Sequence, residues 1–219
     1  MKINLKKRAF TTIFLTSVLT CSYVLPPQVM ANSSQESNAQ QKEGLPNPDR
    51  RRPAGSRGCH KHTAGRLMAL VPVNKEVLTK SAGAKLLFNL PKTSTPMEVE
   101  FLVVDAKHNP LYEKKFQTID SAGIITVNVP ESINLEKDTK LRWYLSIFCN
   151  PQNRAHDIVV DGWIKRGEVH ANYWQDALAR LAELRRQNPN DSQLAAEWKE
   201  LLEQENLGEM AQQPLLNIN

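Results

Sequence analysis

Between Leu67 and Ile164 apolar and polar residues alternate with a period of two, interrupted by turn-forming residues. That period places successive side chains on opposite faces of an extended strand. Seven strands are predicted: Leu67–Val71 ended by Pro72, Lys85–Leu90 ended by Pro91, Glu98–Asp105, Leu111–Gln117, Ile124–Val129 ended by Pro130, Leu141–Cys149, and Asp157–Ile164. Short strands with polar turns and no helix between them favour two packed antiparallel sheets, an immunoglobulin-like β-sandwich. The alternation also assigns faces. Leu141, Trp143, Leu145, Ile147 and Cys149 point one way, and Arg142, Tyr144 and Ser146 the other; Val99, Phe101 and Val103 oppose Glu98 and Glu100.

After Gly167 the period changes. Tyr173, Ala177, Leu178, Leu181 and Leu184 recur at helical spacing, Asn188-Pro189-Asn190-Asp191 breaks the run, and Leu194, Trp198, Leu201 and Leu202 form a second stripe. Asp191 is suited to cap the second helix. This αα-hairpin resembles half of a tetratricopeptide unit, and a single hairpin excludes a full solenoid.

The start of the chain is different in kind. Lys2, Lys6, Lys7 and Arg8 precede an uncharged stretch from Ala9 to Leu25, and Val29-Met30-Ala31 follows. A basic start, a short apolar middle and a small exit residue read as a secretory signal peptide over residues 1–31. The apolar stretch is short and diluted by Thr and Ser, whereas a spanning helix needs about 20 apolar residues, so no transmembrane segment is expected after cleavage. Residues 32–56, with one Leu and no aromatic residue, bury too little to offset the entropy of ordering and read as a flexible basic arm. The sandwich then occupies 57–167 and the hairpin and tail 168–219.

Removing the leader changes the charge picture. The chain has 28 basic and 23 acidic residues; the leader takes four of the basic ones, leaving 24 against 23. The high pI therefore gives no ground for a nucleic-acid partner. Residues 168–219 hold four basic and nine acidic side chains, against a basic body, a contrast that fits mutual docking, separate partners or a solvated helix surface. Two cysteines remain, Cys59 and Cys149. In an oxidising compartment such a pair is expected to form a disulfide; two free buried thiols or a metal site are the alternatives. The predicted compartment is periplasmic or extracellular.

With these features in place the chain resembles the uncharacterised cyanobacterial exported proteins of domain-of-unknown-function family 928. The likeness rests on Arg57-Gly58-Cys59, Ala69-Leu70-Val71-Pro72, Leu90-Pro91, Arg142-Trp143-Tyr144 running into Cys149, Pro151, Arg154, Asp157, Gly162-Trp163-Ile164, Trp174-Gln175-Asp176-Ala177-Leu178 and the Asn-Pro-Asn-Asp break. It covers the chain from about residue 50 onward. Two departures stand out: only about ten residues join the Gly-Trp-Ile strand to the first helix, and Asn150 stands where Asp is common. The resemblance implies an exported protein of β-plus-helix layout; it supplies no activity, so no catalytic residue carries over from it.

Candidate sites are few. Arg154, His156 and Asp157 cluster polar groups in the turn after the longest strand, at a sandwich end where such folds bind ligands; an Arg–Asp pair bracing the turn is the plain alternative. Tyr144 and Trp163 form a candidate platform for sugar rings. Tyr173, Trp174 and Trp198 are candidate partner contacts on the hairpin, against packing onto the chain's own sandwich. His60 and His62 are weak metal candidates beside Cys59, lacking a matching ligand motif elsewhere. Glu98 and Glu100 resemble a glycosidase pair only by spacing. No nucleophile or cofactor motif is indicated. The expected function is a non-enzymatic exported module engaging an envelope protein, with a carbohydrate-binding module as alternative and a hydrolase third.

Overall fold

The computed structural model describes residues 51–52, 59, 62–74, 76–137, 139–168 and 173–218. The signal-peptide assignment, most of the arm and His60 lie outside these residues.

Among the described residues there are ten strands and two α-helices: β1 (Thr63–Ala64), β2 (Met68–Leu70), β3 (Glu76–Thr79), β4 (Ala84–Leu90), β5 (Lys92–Thr93), β6 (Glu98–Val104), β7 (Pro110–Gln117), β8 (Gly123–Val129), β9 (Lys140–Ile147), β10 (Ile158–Arg166), α1 (Trp174–Gln187) and α2 (Ser192–Glu203). One sheet has the order β3-β10-β9-β6-β7, a second β2-β4-β8, and β1 pairs with β5. This is a β-sandwich followed by a helical hairpin. All seven expected strands are present. β3 was not expected; it pairs in parallel with β10, Val77 opposite Ile164, so the larger sheet is mixed rather than wholly antiparallel.

The layers follow from the side-chain period. Val99, Phe101, Val103, Leu141, Trp143, Leu145, Ile147, Val160 and Ile164 of the five-stranded sheet meet Leu86, Phe88, Leu90, Ile125, Val127 and Val129 of the three-stranded sheet. Phe88 stands edge-on to Trp143, with ring centroids 5.4 Å apart. Intervening residues of the small sheet, Met68, Leu70, Leu87 and Ile124, form a second core with Trp174, Leu178, Leu181, Ala182, Trp198 and Leu202 from the helices. The three-stranded sheet is thus apolar on both faces. This is why Leu86-Leu87-Phe88 and Ile124-Ile125 run on without polar interruption. The hairpin covers the face that the sandwich leaves open.

Local chemistry secures the joints. The disulfide Cys59–Cys149 closes a separation of 90 residues with Cα atoms 5.3 Å apart. Cys59 is buried in the sandwich core. The Asp191 carboxylate accepts from the backbone N–H of Gln193 and Leu194, 2.9 and 3.0 Å away, as a cap of α2. Past α2 the tail returns to the sheet edge: Ile124 N–H donates to Pro214 and Leu216 N–H to Ile124, at 2.7 and 2.8 Å. Two described residues from the segment assigned to the arm contact the tail. Arg51 donates to the carbonyl of Glu205 at 2.9 Å and Arg52 pairs with Glu209. Basic body and acidic tail thus meet at this point.

Candidate functional site

One broad face has no covering layer among the described residues: the outer face of the five-stranded sheet. Its side chains are the alternate residues that the core does not take, and the strand register aligns them. Tyr144 lies opposite Asp161 and Leu102; Arg142 lies opposite Trp163 and Val104. Asp161 is only 1% exposed, and Arg142 answers it with Nε and Nη2 at 3.2 and 2.6 Å from one carboxylate oxygen. The same guanidinium lies 5.2 Å from the ring centres of both Tyr144 and Trp163. Lys140 sits 5.0 Å from the Trp163 ring and bonds Glu76 at 2.9 Å. Tyr144 and Trp163 are therefore neighbours on one surface, with cations set against their π-faces, an attractive arrangement.

At the β9–β10 end of this face, side-chain turns shape the connection. Asn150 accepts from Gln152 N–H and Asn153 from Ala155 N–H, at 2.9 and 3.1 Å. The turn carries Arg154 back over the Phe148 ring, 3.5 Å from its centre. Its guanidinium pairs with Asp157, and with Glu100 at 3.1 Å. Burial opposes the charge on Arg154, but the bonds from Asp157 and Glu100 outweigh it and raise its pKa above the ordinary value. A groove of about 660 Å³ adjoins, lined by His62, Met97, Glu98, Phe148, Cys149 and Arg154.

The structure thus joins Arg154 to Asp157 and adds Glu100 and Phe148, which sequence reading did not connect to them. His156 is exposed in the same turn. Trp163 is five residues along β10 from Ile158, about 17 Å at the usual strand rise, so it does not share the groove with Arg154. His62 lies within 3.4 Å of Ser94 Oγ, and the described residues contain no cluster of three His, Cys, Asp or Glu side chains suited to a metal.

The hairpin aromatics are placed otherwise than a partner surface requires. Trp174 is 3% and Trp198 0% exposed, and Trp174 Nε1 donates to the Leu201 carbonyl at 2.9 Å. They pack inward because the three-stranded sheet needs apolar cover on its second face. Tyr173 is half-buried, bonds the Glu168 carbonyl and lies under Lys80, 4.8 Å from the ring centre.

Fold and surface together define a β-sandwich closed on one side by a helical hairpin and open on the other through a row of aromatic and cationic side chains. The chain belongs to the family described as Domain of Unknown Function (DUF928), whose model matches residues 52–172 and 168–215. Among curated proteins none matches the chain. No helix among the described residues is long and apolar enough to cross a membrane.

Proposed function

We propose that this chain is an exported, non-enzymatic binding module that engages a protein of the cell envelope through the outer face of its five-stranded sheet. The observation that carries this reading is the Tyr144–Arg142–Trp163 row on that uncovered face, while the hairpin occupies the opposite side of the sandwich. Tyr, Arg and Trp are the residue types most enriched at the energetic centres of protein interfaces. Nearby carboxylates have bracing roles: Asp161 holds Arg142, and Asp157 and Glu100 hold Arg154. Export, to the periplasm or beyond, is supported by the leader pattern and by the Cys59–Cys149 bridge. A cyanobacterial envelope, suggested by the sequence resemblance, is the proposed setting.

Carbohydrate binding is the second reading, supported by two rings sharing one face. A stacked sugar would then have to displace or share the cations held against those rings. Envelope pull-down and a glycan array, each with wild type, Trp163→Ala and Arg142→Gln, separate the two. Protein capture reduced about tenfold or more by both substitutions supports the first reading. A sugar hit abolished by Trp163→Ala supports the second. Protein capture indifferent to both substitutions removes the proposed surface.

A further inference from the structure

The last turn of α1 presents Arg185 and Arg186 to a pocket of about 310 Å³ that the chain's tail closes from the other side. The rest of the lining includes Pro189, Gln212, Gln213, Leu215 and Asn217, and among the described residues no carboxylate lines it. Arg186 is partly engaged: its Nη2 donates to Thr126 Oγ1 at 2.8 Å and its Nη1 lies 3.5 Å from Glu183. Its Nε is buried and has no hydrogen-bond partner among the described residues, and the same is true of Arg185 Nη1. Arg185 lies with its guanidinium carbon 5.4 Å from the Trp198 ring centre. Burial pushes its pKa below the ordinary arginine value, though far from any pH at which it would lose its charge.

Buried charged donors without acceptors are unfavourable, and nature usually gives them a partner. The C-terminal end of α1 repels an anion with only about half a unit charge, which two guanidinium groups more than offset. We propose that this pocket is an oxyanion site, binding the carboxylate or phosphate group of an anionic ligand through Arg185 and Arg186. The planar guanidinium fork matches both groups by paired N–H donors. The site lies away from the sheet face proposed for partner binding and stands independently of that reading.

The test follows the side-chain N–H resonances of Arg185 and Arg186 in the purified protein during additions of inorganic phosphate, acetate or chloride at constant ionic strength. Saturable shifts of both arginines with phosphate or acetate, absent with chloride, are expected, and the tighter of the two identifies the head group. Arg185→Gln should weaken that binding at least about tenfold. Should that variant fail to fold, the wild-type titration alone decides. The proposal is overturned if neither arginine responds, if chloride produces the same shifts, or if Arg185→Gln binds like wild type.

Discussion

Opening the Cys59–Cys149 bridge, by reduction or by Cys149→Ser, removes a constraint on the unfolded chain. A closed separation of 90 residues is worth about 4–5 kcal/mol in the chain-entropy model. Against the roughly 5–15 kcal/mol that holds a typical domain folded, that is a large share. With a urea slope of roughly 2 kcal/mol per molar for a domain of this size, the midpoint should fall by roughly 2 M. Tryptophan fluorescence is a suitable signal because Trp143 lies wholly within the sandwich core. The far-UV spectrum should remain that of a β-rich fold at zero denaturant. Titration of two thiols in the untreated denatured protein, or a midpoint that reduction leaves in place, would refute the reasoning.

Trp198→Ala should destabilise by about 3–5 kcal/mol, since it empties the core between hairpin and sheet. Trp163→Ala should cost about 1 kcal/mol or less, as an outer-face change; thermal unfolding compares the two, and equal losses would contradict the layer assignment. Gly123→Ala brings a methyl within 2.5 Å of the Pro214 carbonyl and 2.8 Å of Leu216. Faster hydrogen exchange at the Leu216 amide and a loss of about 1–3 kcal/mol are expected. Asp105 accepts from the Asn109 side chain and backbone and from Lys107 N–H, and these bonds hold its pKa below the ordinary value. A depressed folded-state pKa means that its contribution is present above the unfolded value and lost as pH falls through the folded one. An NMR titration should show the lowered midpoint, with Asn109→Ala moving it back up.

Much of the sandwich could be read from residue order because its strands obey a simple rule. Leu141, Trp143, Leu145 and Ile147 alternate with polar neighbours, and each turns inward. Asp191 was legible as a cap from its place before a new apolar stripe. β3 was not, since Glu76-Val77-Leu78-Thr79 offers only four residues and its parallel partner lies about ninety positions away. The unbroken apolar run Leu86-Leu87-Phe88 fits burial on two faces, a signal that a period-two reading of the strand passes over. Residue spacing gave Arg154, His156 and Asp157 as a polar cluster, with an Arg154–Asp157 pair as the alternative, and that pair is formed. It gave neither Glu100 beside Arg154 nor Asp161 beside Arg142, because those contacts depend on register between strands. The Tyr144–Trp163 adjacency likewise appears only once β9 and β10 are aligned.

The division of labour between the two sides of the sandwich is tested most directly by photo-crosslinking in the native envelope. Photoreactive side chains would be placed at Leu102 and Lys165 on the outer sheet face, and at Gln193 and Lys199 on the hairpin. One shared protein adduct from the two sheet positions, and none from the hairpin, is the predicted result. Adducts confined to the hairpin, with the sheet positions silent, would contradict it.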